Sequence, residues 1–187
     1  MINSFYTENE LAQLGFAKIG KNVLISRKAS IYGADKMVIG NNVRIDDFCI
    51  LSGNIILGDF IHIAAYTALY GGDEGIEFKN YSTISSHSSV YSMSDDYSGE
   101  YMTNPMVPEC YRNTKNARVI IGEHVIIGSH SVILPGCVLE TGVSVGAMGL
   151  VTSNLKEWGI YVGIPCTFLK QRKKIDFGDL NDYEEGI

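Results

Sequence analysis

The chain has 187 residues, a formal charge of −6 at neutral pH and 45% hydrophobic residues. That length suits one domain able to bury its own core, and the acidic balance argues against nucleic acid or an anionic membrane surface as the main partner. No apolar run nears the roughly 20 residues of a membrane-spanning helix, so no membrane insertion is expected.

The first ten residues, MINSFYTENE, carry neither the basic nor the apolar segment of a secretory signal. Four cysteines (49, 110, 137, 166) are too few for a disulfide framework and are read as thiols of a cytoplasmic protein. Thr7 and Glu10 have the spacing of a capping box, and ENELAQLGF supplies a short amphipathic pattern ended by Gly15. Residues 1–16 are therefore expected to form a small helical cap.

From residue 19 an aliphatic side chain returns every six residues: Ile19, Ile25 and Ile31, then after a slip of two Ile39, Ile45, Leu51, Leu57, Ile63 and Leu69. The run GGDEGIE reads as a short insertion, after which the phase resumes at Phe78, Ile84 and Val90. It is strictest in residues 119–153, where Ile121, Ile127, Ile133, Leu139, Val145 and Val151 keep the period. A small or branched residue (Val125, Ser131, Cys137, Val143, Gly149) follows each of the first five by four. Six is neither the 3.6 of a helix nor the 2 of an ordinary strand. It is the period of a parallel β-helix, in which each unit is one short strand and one corner. Three units make a triangular coil, so about six coils are expected. Grouping in threes puts 57, 78, 121 and 139 on one face, 63, 84, 127 and 145 on a second, and 69, 90, 133 and 151 on the third.

Residues 92–118, SMSDDYSGEYMTNPMVPECYRNTKNAR, break the period and are too polar to enter the core. A loop of this length in a compact domain is functional or disordered, and its tyrosines and prolines favour an ordered, functional arm. The chain thus divides into a cap (1–16), a β-helix domain (17–155) with an extruded loop (92–118), and a C-terminal extension (156–187). That extension runs through WGIYVGIP and a basic cluster ending at Lys174 into an acidic stretch, IDFGDLNDYEEGI, read as a solvated tail.

The repeat, the single long loop and the ending VGIPCTFLKQRKK resemble the hexapeptide-repeat, left-handed β-helix acyltransferases. The runs HIAAYTALYGG, SDDYSGEYMTNP and WGIYVGIP are closest to bacterial surface-polysaccharide sugar acetyltransferases, among them the dTDP-4-amino-4,6-dideoxyglucose acetyltransferases. Galactoside and maltose acetyltransferases are more distant. The resemblance implies an all-β, left-handed coil, a homotrimer, and acetyl-CoA bound between subunits. It implies a nucleotide-linked amino sugar as acceptor and no metal.

Acyl transfer from a thioester requires a nucleophile, a group to take its proton, and donors for the oxyanion. Histidine is the natural base near neutrality, and the chain has His62, His87, His124 and His130. His124 occupies a generic outward position, and His130 lies in a GSH run that is structural or near the cofactor in the resembling enzymes. His62, read as sitting at a corner, and His87, just before the loop, remain as candidates, with His62 preferred. Galactoside acetyltransferases carry their base in a Gly-His-Pro run where this chain has Asp95 and Asp96, which mildly favours an amine acceptor. By position, the resemblance assigns Ser129, Ala147 and Thr152 to coenzyme A, and Lys170 and Arg172 to its 3′-phosphate. Asp95 and Asp96 are read as orienting a histidine of a neighbouring subunit or as binding the acceptor's amine or hydroxyls, and Tyr66 as an acceptor-binding residue. Trp158 is placed against the adenine or as a seal on the last coil. O-acetylation of a sugar, a γ-carbonic-anhydrase-like zinc site shared by His62, His87 and His130, and a non-catalytic scaffold are the competing readings.

Overall fold

A computed structural model describes residues 4–174. The capping box forms as expected: α1 spans Glu8–Gln13, the Thr7 hydroxyl accepts from the Glu10 amide, and the Glu10 carboxylate accepts from the Thr7 amide. Leu11 is the buried residue of this helix and packs on the end of the core.

The remainder winds as a β-solenoid whose strands are mostly two or three residues long. In a two-residue strand one side chain points in and the other out. The inward member is the aliphatic of each repeat, and Ile127, Ile133, Leu139 and Val151 are fully buried. The three faces stack in parallel register as grouped by sequence. Leu57, Phe78, Ile121 and Leu139 pair in succession on the first, Ile63, Ile84, Ile127 and Val145 on the second, and Leu69, Val90, Ile133 and Val151 on the third. Backbone hydrogen bonds therefore run along the stack, coil to coil, as in Ile126 N–H to Val143 O. The slip between Ile31 and Ile39 is taken up by a turn of 3-10 helix at Ala34–Lys36.

GGDEGIE is not a loop insertion. The strand Ala68–Phe78 runs without interruption from the third face around to the first, beside Ile50–Leu57, with register shifts near Gly53. Glycine makes this close pairing feasible: a Cβ on Gly71 would lie 2.2 Å from the Asn54 carbonyl oxygen. Periodicity could not report this, because a bulged strand changes the residue count of a corner without leaving the sheet.

Two of the corners are built from residues in the left-handed region. Asn22, Asn42, Phe60, Tyr81, His124 and Trp158 hold one, and Phe48, Tyr66, His87, His130 and Met148 the other, all at positive φ. Such a conformation costs roughly 1 kcal/mol or more for a bulky residue. Here the cost is offset by ring stacking down each corner, worth about 0.5–1.5 kcal/mol per aromatic pair. Phe60 stacks on Tyr81, Tyr81 on His124, and His124 on Trp158. His124 is therefore a member of a stacked corner and not a generic outward residue.

Candidate active site

The second corner brings together four of the expected site residues, Tyr66, His87, Ser129 and Ala147. Phe48, Tyr66, His87 and His130 form a continuous stack with centroid spacings of 4.9, 4.7 and 4.9 Å. Both faces of the His87 ring are covered, by Tyr66 and His130, and the residue remains exposed. Beside this stack runs a column of small residues, Ala65, Ser86, Ser129 and Ala147, two positions past the inward aliphatics of the second face. Ala65, Ser86 and Ser129 accept, through their carbonyls, from the amides of His87, His130 and Met148. Small side chains thus stand next to tall rings along the corner. Ser129 in this column is half-buried and Ala147 exposed, and Thr152 is exposed just past the third-face strand.

His62 is not at a corner. It precedes the inward Ile63 in the strand His62–Ile63, so the alternation of a strand turns it outward on the flat second face, between Arg44 and Thr83. Its Nε2 lies 2.8 Å from Asp46 Oδ2, and Arg44 Nε lies 2.7 Å from Asp46 Oδ1. An ionised carboxylate only accepts, so His62 Nε2 carries the hydrogen and Nδ1 is the nitrogen left to take a proton. Burial alone would raise the Asp46 carboxyl, but the hydrogen bonds from His62 and Arg44 outweigh it and leave the group below its ordinary value.

The arm leaves the third face and folds back over it. Met93–Ser94 pairs antiparallel with Lys115–Asn116 at its base, and Met102 bridges to Arg112 further out. Between arm and coil lies a cleft of about 640 Å³. Tyr70, Tyr91, Val132 and Leu134 wall it from the third face, and Ser94, Asp95, Tyr97 and Arg112 are among its lining residues from the arm. Tyr70 and Tyr91 stack at 5.0 Å. Asp95 lines the cleft, and among the described residues its carboxylate has no hydrogen bond or ion pair. Asp96 is occupied locally, accepting from the amide and hydroxyl of Ser98 at 3.1 and 2.6 Å.

At the far end of the solenoid, Arg172 Nη1 donates to the carbonyls of His124 and Gly142 at 2.7 and 2.9 Å, and its guanidinium lies over Trp158. Trp158 thus seals the end of the first corner, clamped by the strand Thr167–Gln171 that turns back beside Gly159–Val162. Lys170 is exposed on that strand. Among the described residues no cluster of three metal-ligating side chains forms, and no helix is long and apolar enough to cross a membrane.

No protein-family model matches the chain. Its sequence is 44% identical over 174 residues to the dTDP-4-amino-4,6-dideoxy-D-glucose acyltransferase of Escherichia coli, covering 91% of this chain and 90% of that one. The chain belongs to the family of the dTDP-4-amino-4,6-dideoxyglucose acyltransferases. Among solved structures it is similar to AntD, an N-acyltransferase of Bacillus cereus, in complex with dTDP-4-amino-4,6-dideoxyglucose and coenzyme A, with 50% identity, a TM-score of 0.95 and 100% of both chains covered. A second structure of AntD holds dTDP and 3-hydroxybutyryl-CoA, with 51% identity, a TM-score of 0.90 and 98% and 95% of the two chains covered.

The expected fold is therefore that of a left-handed β-helix acyltransferase. Sequence reasoning passed over two features of this acyltransferase. Asp46, partner of His62, had a signal: it follows inward Ile45 by one and so sits on the same face, one coil away. Arg112, in the cleft, had none, because no period reaches into the arm.

Proposed function

We propose that this acyltransferase moves an acetyl group from acetyl-CoA to the amine of a nucleotide-linked 4-amino-4,6-dideoxy sugar. The observation that supports this most is the end-to-end similarity to AntD with dTDP-4-amino-4,6-dideoxyglucose and coenzyme A. The amine nitrogen attacks the thioester carbonyl, the new C–N bond forms as the C–S bond breaks, and the amine's lost proton balances the thiol of free coenzyme A. No protein nucleophile is required. The protein must hold the amine neutral and aimed, take its proton, and steady the oxyanion.

In this reading the cleft under the arm takes the acceptor, with Asp95 accepting a hydrogen bond from the amine and Asp96 shaping the turn beside it. AntD has been studied as variants of a serine and an aspartate ten positions apart. Ser85 with Asp95, and Ser86 with Asp96, keep that spacing here, which supports a reaction centre where the small-residue column meets the arm. The small-residue column at Ser129 and Ala147 takes the pantetheine arm, and Thr152 lies on the same side. Lys170 is the exposed cation for the 3′-phosphate; Arg172 serves it only through nitrogens not already given to carbonyls.

His87 is preferred over His62 as proton acceptor within one chain. Its corner separates the second face from the third, so it borders the strand leading into the arm. His62 lies on the other side of that corner and would serve a cleft contributed by a neighbouring subunit. Tyr66 supports the ring of His87 and borders the acceptor. A homotrimer fits the exposed corner residues Phe48, Tyr66 and Met148, which are 46%, 51% and 63% accessible in one chain and suit a neighbour's surface. The cytoplasm is the compartment that supplies both substrates.

The deciding experiment measures release of the coenzyme A thiol with acetyl-CoA and with 3-hydroxybutyryl-CoA. The acceptors are dTDP-4-amino-4,6-dideoxyglucose, other nucleotide-linked amino sugars, and plain galactosides. Turnover confined to the amino sugars is the expected result, and turnover confined to hydroxyl sugars would replace this reading with O-acetylation.

A further inference from the structure

Arg112 is the one charged group of the cleft that the reading above leaves without work. Its Nε is buried and has no hydrogen-bond partner. Among the described residues its guanidinium makes no ion pair, even with Asp95, which lines the same cleft. A guanidinium is charged at every relevant pH, and a buried, unpaired donor on it is costly. Native chains keep such groups where something else completes the pairing.

The surroundings narrow what that is. The coil side of the cleft is aromatic and aliphatic, from the stacked Tyr70 and Tyr91 to Val132 and Leu134. Those walls suit a flat base and a deoxy sugar but neutralise no charge. The cation and the carboxylate stand in one cleft without neutralising each other. A ligand with an anionic middle and a basic end would engage both.

We propose that Arg112 recognises the diphosphate of the acceptor, its planar fork pairing with phosphate oxygens while Asp95 meets the amine. This rests on the acceptor reading given above and adds to it the residue that makes a nucleotide-linked sugar preferable to a free one. Coenzyme A also carries phosphates, so the same chemistry could come from the donor. The acceptor is favoured because Arg112 lines the same cleft as Asp95, and neither Ser129 nor Ala147 is among that cleft's lining residues.

The test is calorimetric titration of the full chain and of Arg112→Gln with dTDP, thymidine and coenzyme A separately, with a melting curve for each protein. The wild-type protein should bind dTDP more tightly than thymidine. Arg112→Gln should weaken dTDP by roughly 10- to 100-fold, the size of a lost charge-assisted contact, and leave thymidine and coenzyme A unchanged. Arg112→Lys should recover only part, because an ammonium cannot pair in parallel with two phosphate oxygens. Unchanged dTDP affinity in Arg112→Gln would overturn the proposal. Weaker coenzyme A binding instead would assign the residue to the donor, and a fall in sedimenting mass with no change in dTDP affinity would assign it to a subunit contact. A wild-type protein that binds coenzyme A but not dTDP would remove the acceptor reading itself, an outcome read before any variant is made.

Discussion

His62 and His87 are chemically alike, and the backbone decides what each can do. His62 is a strand residue whose Nε2 is committed to Asp46, leaving Nδ1 as its only basic nitrogen. His87 is an exposed corner residue in the left-handed region, its faces covered by Tyr66 and His130. Alanine at the base should lower kcat by on the order of 10²-fold while sparing acetyl-CoA binding. We expect that loss for His87→Ala and a smaller one for His62→Ala. The reverse ranking would mean that the acting His62 comes from a neighbouring subunit, and two near-normal variants would leave the amine to lose its proton to solvent. The cysteines sort by the same logic of burial. Burial pushes the Cys49 thiol up to about 11 and also raises Cys137, while Cys110 lies exposed on the arm. A thiol reagent at pH 8 should therefore label Cys110 quickly and reach Cys49 and Cys137 only on unfolding. Labelling of Cys49 in the folded protein would show that the coil opens there.

At the scale of elements, the cap helix shows how a short segment is secured. A six-residue helix is far below the length that is stable alone, so it depends on its tie to the first coil. Glu10 makes that tie through both carboxylate oxygens to Arg27, each at 2.6 Å, while closing the capping box on Thr7. The hydrogen bond from Arg27, followed by those from the Thr7 amide and hydroxyl, lowers the Glu10 carboxyl from 4.5 to about 2. A depressed folded-state value means stabilisation that is complete above pH 4.5 and lost as pH falls toward 2. Amide shifts of residues 8–13 followed by NMR should thus titrate with a midpoint near 2 and not near 4.5, and Glu10→Gln should fray the helix already at pH 7. A midpoint at the ordinary value would show the ion pair to be absent in solution. The helix was legible from sequence because a capping box is a local code of two residues. The corner stacks were not, although they obey the same six-residue period three places after each inward aliphatic. Phe, Tyr and His in the left-handed region run against local propensity, and only neighbours one coil away make the conformation worthwhile. The arm is the opposite case: its composition marked it as functional, but the approach of Asp95 and Arg112 to one cleft is tertiary and follows no spacing.

At the scale of the molecule, the inward aliphatics make a single column of apolar side chains whose contacts are almost all between adjacent coils. Stability in such a stack behaves as a chain of nearest-neighbour terms and not as one indivisible core. Ile127 tests this. It is fully buried, pairs with Ile84 below and Val145 above, and shares its coil with Ile121 and Ile133. Its neighbours cannot settle into the space that alanine would leave, because their backbones are fixed by hydrogen bonds to coils on either side. Ile127→Ala should therefore cost about 2–5 kcal/mol, as buried Ile or Leu to Ala changes do. The position of the loss matters more than its size. The coils from residue 37 to 69 do not pair with Ile127 and keep their own contacts, whereas the coils from 119 to 162 are weakened at one of the three faces by which they join the rest. Hydrogen exchange on the variant should lose protection most across 119–162 and least across 37–69. Equal loss in both halves would mean that the solenoid opens only as a whole. Cooperativity would then come from the arm, or from the subunit contacts of the proposed trimer, and not from the stack itself.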